Sequence, residues 1–324
     1  MSIPLHDPAW LERMYNNRAL VPDYMDYLQR WAQDSAQVRA NCPCALDLAY
    51  GPEAGETLDV FPATRPGAAL APVLVFIHGG YWRSLDKSDH SFVAPPFTLA
   101  GYCVVVVNYA LCPGTPEHPV TVPHIGRQME AALAWVWRHI GQHGGDRRRI
   151  TVAGHSAGGQ LAAWLLTSVW PLVASDLPDG LVRSALSISG LHDLEPVMHA
   201  PFLQQSLHLT EQHVQDASPA RLQAPAQGLL YSVAGADESE EFARQARLIQ
   251  DAWGTHVVPR CQILPGLNHF SILDALANKA DRRVEFIWES CMALKTKLQG
   301  FGGDLHLVHD HAETAIPELA TKLG

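Results

Sequence analysis

"ITVAGHSAGGQLAAWL", residues 150–165, runs from an apolar stretch through a turn crowded with small residues into a helix-forming stretch. Ser156 sits at the junction, with glycine two positions before it and two after it. A strand that turns this sharply into a helix brings those flanking residues into near contact, and glycine removes the Cβ atoms that would collide. The serine backbone is pushed toward strained dihedrals and its hydroxyl is lifted out of the turn. The G-x-S-x-G pattern of residues 154–158 has two readings, a packing turn and a presented nucleophile, and the surrounding sequence separates them.

On either side of this turn the chain alternates. Residues 72–78, 102–109, 149–154, 182–189, 228–235 and 256–264 are mostly apolar and often β-branched, as strands buried on both faces of a parallel sheet are. Helical stretches are expected near 121–141, 156–168, 239–253 and 281–298. Two shorter extended pieces, 45–50 and 56–61, flank "GPEAG", which suits a turn between neighbouring strands. The pattern predicts a three-layer α/β fold with a mostly parallel central sheet and flanking helices. The early strand pair and the uneven connections argue against a barrel. A helical segment over residues 1–44 is expected to pack near the site, ahead of a main domain over 45–298. The tail, 299–324, has no assigned structure.

Composition narrows the chemistry. The chain has 324 residues, 47% of them hydrophobic, enough for a large core. Its formal charge of -10 argues against nucleic acid, which needs clustered Lys and Arg, and "DRRRI" at 146–150 reads as a solvated turn. No apolar run has membrane-spanning length, and the N-terminus lacks the pattern of a secretory signal. The six cysteines, with "CPC" at 42–44, fit neither a disulfide framework nor a zinc site, so a cytoplasmic setting is expected. "HLVHDH" at 306–311 has no companion metal motif and reads as a surface tail. No cofactor and no metal are expected, and a homodimer is left open.

A nucleophilic serine needs a base and an acid, and in this strand–turn–helix setting they follow it in the order acid, then histidine. His269 in "PGLNHFSIL" comes after the last expected strand and is the candidate base. Asp237 in "VAGADESEEF" comes after the strand before it and is the candidate acid, with adjacent Glu238 as its rival. Both would sit at the C-terminal ends of strands, where open parallel sheets gather their chemistry. "FIHGGYW" at 76–82 follows the first long strand, and its backbone can converge on an anionic oxygen without an intruding side chain. Gly79, Gly80 and Ala157 are the candidate oxyanion donors. His78 and His155 are expected to buttress. Tyr81, Trp82, Phe270 and His192 are candidate substrate contacts.

"HGGYW" and "GHSAGG", with "GADESEEF" and "LNHFS" behind them, resemble the kynurenine formamidase (arylformamidase) branch of the α/β-hydrolases. "YNNRALVPDY" and "LDKSDHSFVAP" carry the likeness outward, over roughly residues 11–290. The resemblance implies an α/β-hydrolase fold and a metal-free serine triad of Ser156, Asp237 and His269. It implies hydrolysis of N-formyl-L-kynurenine to L-kynurenine and formate. The partner it implies is a small aromatic formamide or ester. A general carboxylesterase would use the same residues, and a non-catalytic binding protein on the same scaffold is the alternative outside enzymes.

Overall fold

The computed structural model describes residues 7–64, 69–278 and 280–282. Eight strands form one sheet: β1 Ala45–Ala49, β2 Thr57–Phe61, β3 Ala71–Ile77, β4 Cys103–Val107, β5 Gly145–His155, β6 Val182–Ile188, β7 Leu229–Gly235 and β8 Arg260–Leu264. Their order is β1-β2-β4-β3-β5-β6-β7-β8. The β1–β2 and β2–β4 pairs are antiparallel and the remaining pairs parallel. This is the three-layer α/β arrangement expected from the sequence. The last strand is shorter than the apolar pattern suggests. Val257 and Val258 are buried, but Pro259 has no N–H to give a ladder, and pairing starts at Arg260.

Side-chain alternation along the strands divides the interior into two cores. Val73, Val75 and Ile77 face one side with Val105 and Val152, against helices Val122–His139, Ala157–Leu165 and Glu240–Trp253. Leu74 and Phe76 face the other with Val104, Val106 and Ala153, against Tyr24–Asn41, Ala94–Leu99 and Ser271–Ala277. All five residues of β4 are buried, which is why "CVVVV" can be continuously apolar.

The N-terminal helices belong to both cores. Trp10, Leu11 and Tyr15 of helix Pro8–Tyr15 join the first, and Trp31 of helix Tyr24–Asn41 joins the second. The chain between these helices therefore passes over the edge of the sheet, above the turn that carries Ser156. Trp31 stacks on Phe92 with ring centres 5.5 Å apart and donates from Nε1 to Asp274 Oδ1 at 2.6 Å.

Helices Glu195–His199, Pro201–Leu207 and Glu211–Ala217 and the short 3-10 helix Pro219–Arg221 lie between β6 and β7. Of the helix expected over 281–298, residues 283 onward lie outside the described residues, as do the 299–324 tail and "HLVHDH". Among the described cysteines, Cys42, Cys44, Cys103, Cys112 and Cys261 are free thiols. No described helix is long and apolar enough to cross a membrane.

Candidate active site

Ser156 ends the β5 turn with φ 55 and ψ -117, outside the regions an L-residue favours. Such a conformation costs about 1–3 kcal/mol and persists only where its surroundings enforce it. Here the enforcement is visible. Ser156 N donates to Ile188 O at 2.8 Å on the neighbouring strand. A Cβ at Gly154 would lie 2.0 Å from the carbonyl oxygen of Gly158, and one at Gly158 would lie 2.1 Å from Ile77 O. Both glycines are therefore sterically required. The serine side opens onto a cavity of about 380 Å³ rather than onto bulk solvent, and Ser156 is only 2% exposed.

His269 lines the same cavity, in the loop after β8. Its Nδ1 donates to Glu238 Oε2 at 2.6 Å. The other carboxylate oxygen, Oε1, accepts from Ser189 Oγ and from Gly235 N, each at 2.6 Å. Glu238 is thus fully used and its side chain has no exposure. Asp237, the acid expected from the sequence, is exposed and is corrected here: its backbone N donates to Leu267 O, and the side chain turns outward. The tight turn after Gly235 sends the next residue, not Asp237, back toward the sheet. Glutamate's extra methylene then reaches the imidazole.

His155 Nε2 donates to the backbone carbonyl of His269 at 2.8 Å, tying the turn to the histidine loop. Burial, with neighbouring His269 adding to it, holds the His155 imidazole well below the usual histidine range, so it stays neutral. With Nδ1 of His269 committed to Glu238, Nε2 is the nitrogen left to accept a proton.

The loop after β3 is held from below. Gly79 O accepts from His78 Nδ1 at 2.8 Å and from Tyr109 Oη at 3.0 Å. Burial brings His78 down to about 4, so its ring is neutral. In a trans peptide the N–H points opposite the C=O, so these two bonds aim Gly80 N–H away from the core. Gly80 has φ 103 and lines the cavity, and a Cβ there would lie 2.1 Å from Ser84 O. Gly79 packs so closely that its Cβ would lie 3.0 Å from Ser156 Cβ. Among the described residues, none accepts a hydrogen bond from the N–H of Gly79, Gly80 or Ala157. Of the three, Gly80 lines the cavity and Gly79 and Ala157 do not; unspent N–H groups next to the serine turn are of the kind that can stabilise negative charge.

Two of the four expected substrate contacts line the cavity, Tyr81 and Phe270. Tyr81 Oη donates to Tyr15 O at 2.6 Å, and burial raises its pKa, with the Glu238 charge adding to the effect. Trp82 is corrected: it is fully buried, with Nε1 donating to Gln160 Oε1 at 3.0 Å, so it anchors the loop to helix Ala157–Leu165. His192 is corrected too, being buried against Ser187 with no face on the cavity. Tyr15, Asn17, Arg18, Trp31, Arg83 and Phe202, none of them expected at the site, also line the cavity. The first three lie in "YNNRALVPDY", one of the stretches that carry the family resemblance. Among the described residues no group of three or more His, Cys, Asp or Glu side chains is placed to hold a metal ion.

Comparison with known proteins agrees with this architecture. A family described as BD-FAE matches residues 58–170, and the carboxylesterase family matches 125–217. The kynurenine formamidase of Salmo salar is 27% identical over 256 residues, covering 76% of this chain and 81% of that protein. The kynurenine formamidase of Drosophila melanogaster is 28% identical, covering 71% and 76%. Esterase LipI of Mycobacterium tuberculosis is 39% identical, but over 36% of each chain. Among solved structures, a candidate thioesterase from Silicibacter sp. TM1040 superposes with a TM-score of 0.72 at 28% identity, covering 84% of this chain and 96% of that one. Esterase B of Lactobacillus rhamnosis, at 16% identity and a TM-score of 0.64, shares the fold. Sheet order, strained serine turn and these likenesses together make the chain an α/β-hydrolase-like enzyme related to esterases, thioesterases and formamidases.

Proposed function

We propose that the protein hydrolyses N-formyl-L-kynurenine to L-kynurenine and formate, with Ser156 as nucleophile, His269 as base and Glu238 as the carboxylate that orients it. The observation that carries the reading is the 2.6 Å contact between His269 Nδ1 and Glu238 Oε2, made at a cavity that Ser156 also lines. Ser156 Oγ attacks the formyl carbon while its proton passes to His269 Nε2. The tetrahedral oxyanion is met by the free N–H groups of Gly79, Gly80 and Ala157. Collapse breaks the C–N bond, and His269 returns its proton to the departing aryl nitrogen. That leaves a formyl ester on Ser156. Water, giving a proton to His269, attacks that ester, and formate leaves as the serine is reprotonated.

The formamidase reading draws support from the two named formamidases, each matching more than two thirds of this chain. The close approach of Gly79 to Ser156 supports a narrow acyl space suited to a formyl hydrogen. The short, higher-identity match to LipI favours a general carboxylesterase as the second reading. Turnover of N-formyl-, N-acetyl- and N-butyryl-L-kynurenine separates them. The formamidase reading expects kcat/KM to fall about 10–200-fold with the first added carbon, the range a tight pocket imposes for one group of that size. Equal or rising values along the series would remove it in favour of the esterase.

A further inference from the structure

The cavity has a polar end that bond cleavage leaves unused. Arg18 and Arg83 both line it, and no Asp or Glu does. Arg83 Nη1 donates to two neutral acceptors, Phe202 O at 2.7 Å and Ser206 Oγ at 2.8 Å. Arg18 Nη2 reaches only Ser84 Oγ, at 3.5 Å, while its guanidinium lies 5.6 Å from the centre of the Tyr24 ring. Among the described residues neither Arg18 nor Arg83 has a carboxylate within salt-bridge distance, whereas the half-buried Arg244 pairs with Glu241.

Holding these two cations close together is unfavourable by itself. Burial, and then the neighbouring charge of Arg18, disfavours the Arg83 cation. Trp31, Phe270 and Leu28 line the same cavity and make part of its wall apolar.

We infer that Arg18 and Arg83 form a carboxylate subsite, so that the enzyme acts on aryl substrates carrying an acid group remote from the scissile bond. The inference rests on the reading of Ser156 as nucleophile only for its turnover test. Two guanidiniums supply the donors a carboxylate accepts, and the aromatic side chains that line the same cavity suit the aryl group. The lack of any acidic lining residue adds a second requirement: a cationic amine on the same substrate gains nothing here.

Turnover is compared for N-formyl-L-kynurenine, its desamino analogue 4-(2-formamidophenyl)-4-oxobutanoate, and neutral 2'-formamidoacetophenone. The two acids are expected to exceed the neutral compound about tenfold or more in kcat/KM, and to lie within a few-fold of each other. In Arg83→Gln, and separately in Arg18→Gln, the acid-to-neutral ratio is expected to collapse toward one. A merely structural role for either arginine would lower all substrates together and leave that ratio intact, which overturns the inference. A calorimetric arm needs no turnover: 4-oxo-4-phenylbutanoate should bind about tenfold tighter than its neutral amide, and lose that margin in both variants. If no formamide is hydrolysed but the margin is present, the formamidase reading fails and the subsite stands. Equal binding of acid and amide by the wild type sinks the subsite whatever the formamides do.

Discussion

Glu238 and Asp237 are neighbours in sequence and opposites in the structure, and the difference can be tested at a single atom. Glu238 Oε1 already accepts from Ser189 Oγ and Gly235 N, so a glutamine at 238 must turn its carbonyl oxygen to those two donors. Its amide nitrogen then faces His269 Nδ1, where it can only donate. The imidazole is forced into the tautomer that carries its proton on Nε2, and the base toward Ser156 is lost. Glu238→Gln is therefore expected to cut kcat about 10²–10⁴-fold, the range seen when a triad carboxylate becomes an amide. Asp237→Asn, exposed and uninvolved, should stay within about threefold of wild type, since surface changes of this kind rarely alter a buried site. A larger loss from Asp237→Asn than from Glu238→Gln would reverse the assignment. Sequence alone puts both acids after β7 but does not fix the phase of the turn, because one residue of shift decides which side chain points inward.

The segment Asn16–Asp23 acts as a roof fixed at one end by the last residues of helix Pro8–Tyr15. Met14 O accepts from Ser239 Oγ beside the acid turn, and Tyr15 O accepts from Tyr81 Oη on the loop after β3. Tyr15 Oη donates to Glu241 Oε2 at 2.6 Å and receives Gln245 Nε2 at 3.2 Å. One turn of chain thus braces both loops that shape the site. Replacing Tyr15 with Phe removes the donor while Arg244 continues to pair with Glu241, so the carboxylate is not orphaned. The expected cost is about 1–2 kcal/mol in urea denaturation, that of a buried hydrogen bond to a charged group with a remaining partner. An unchanged midpoint with an unchanged m-value would show that this brace contributes nothing. The strands and the helix after Ser156 were legible because their apolar patterns run for five residues or more. The pieces Glu195–His199, Pro201–Leu207 and Glu211–Ala217 were not, since helices of five to seven residues show barely two turns of periodicity. Trp82 was misread for a related reason: its place after the two glycines is visible in sequence, but its positive φ, which swings the indole into the core, is not.

Four of the seventeen histidines are buried with lowered pKa values and predict a pH dependence of stability for the whole molecule. His78 and His90 are each brought down to about 4, and His192 to about 3, by burial, while His155 lies well below the ordinary range. Unfolding returns each ring to water, where its pKa is about 6.5, so the unfolded chain binds more protons than the folded one below that pH. The stability these neutral rings allow is complete above pH 6.5 and is lost as pH falls toward the folded values. Asp89 and Glu130, whose carboxyls burial raises, act in the opposite sense at lower pH, which leaves pH 6.5 to 5 as the clean window. Each ring contributes up to about 1.4 kcal/mol per pH unit across it. Urea midpoints at pH 7, 6 and 5 should therefore fall steeply. His192 packs against Ser187 away from the cavity, so His192→Gln isolates one ring without touching the site. That variant is expected to flatten the slope by one proton's worth, and a wild-type profile level from pH 7 to 5 would mean the buried imidazoles carry their protons in the folded state.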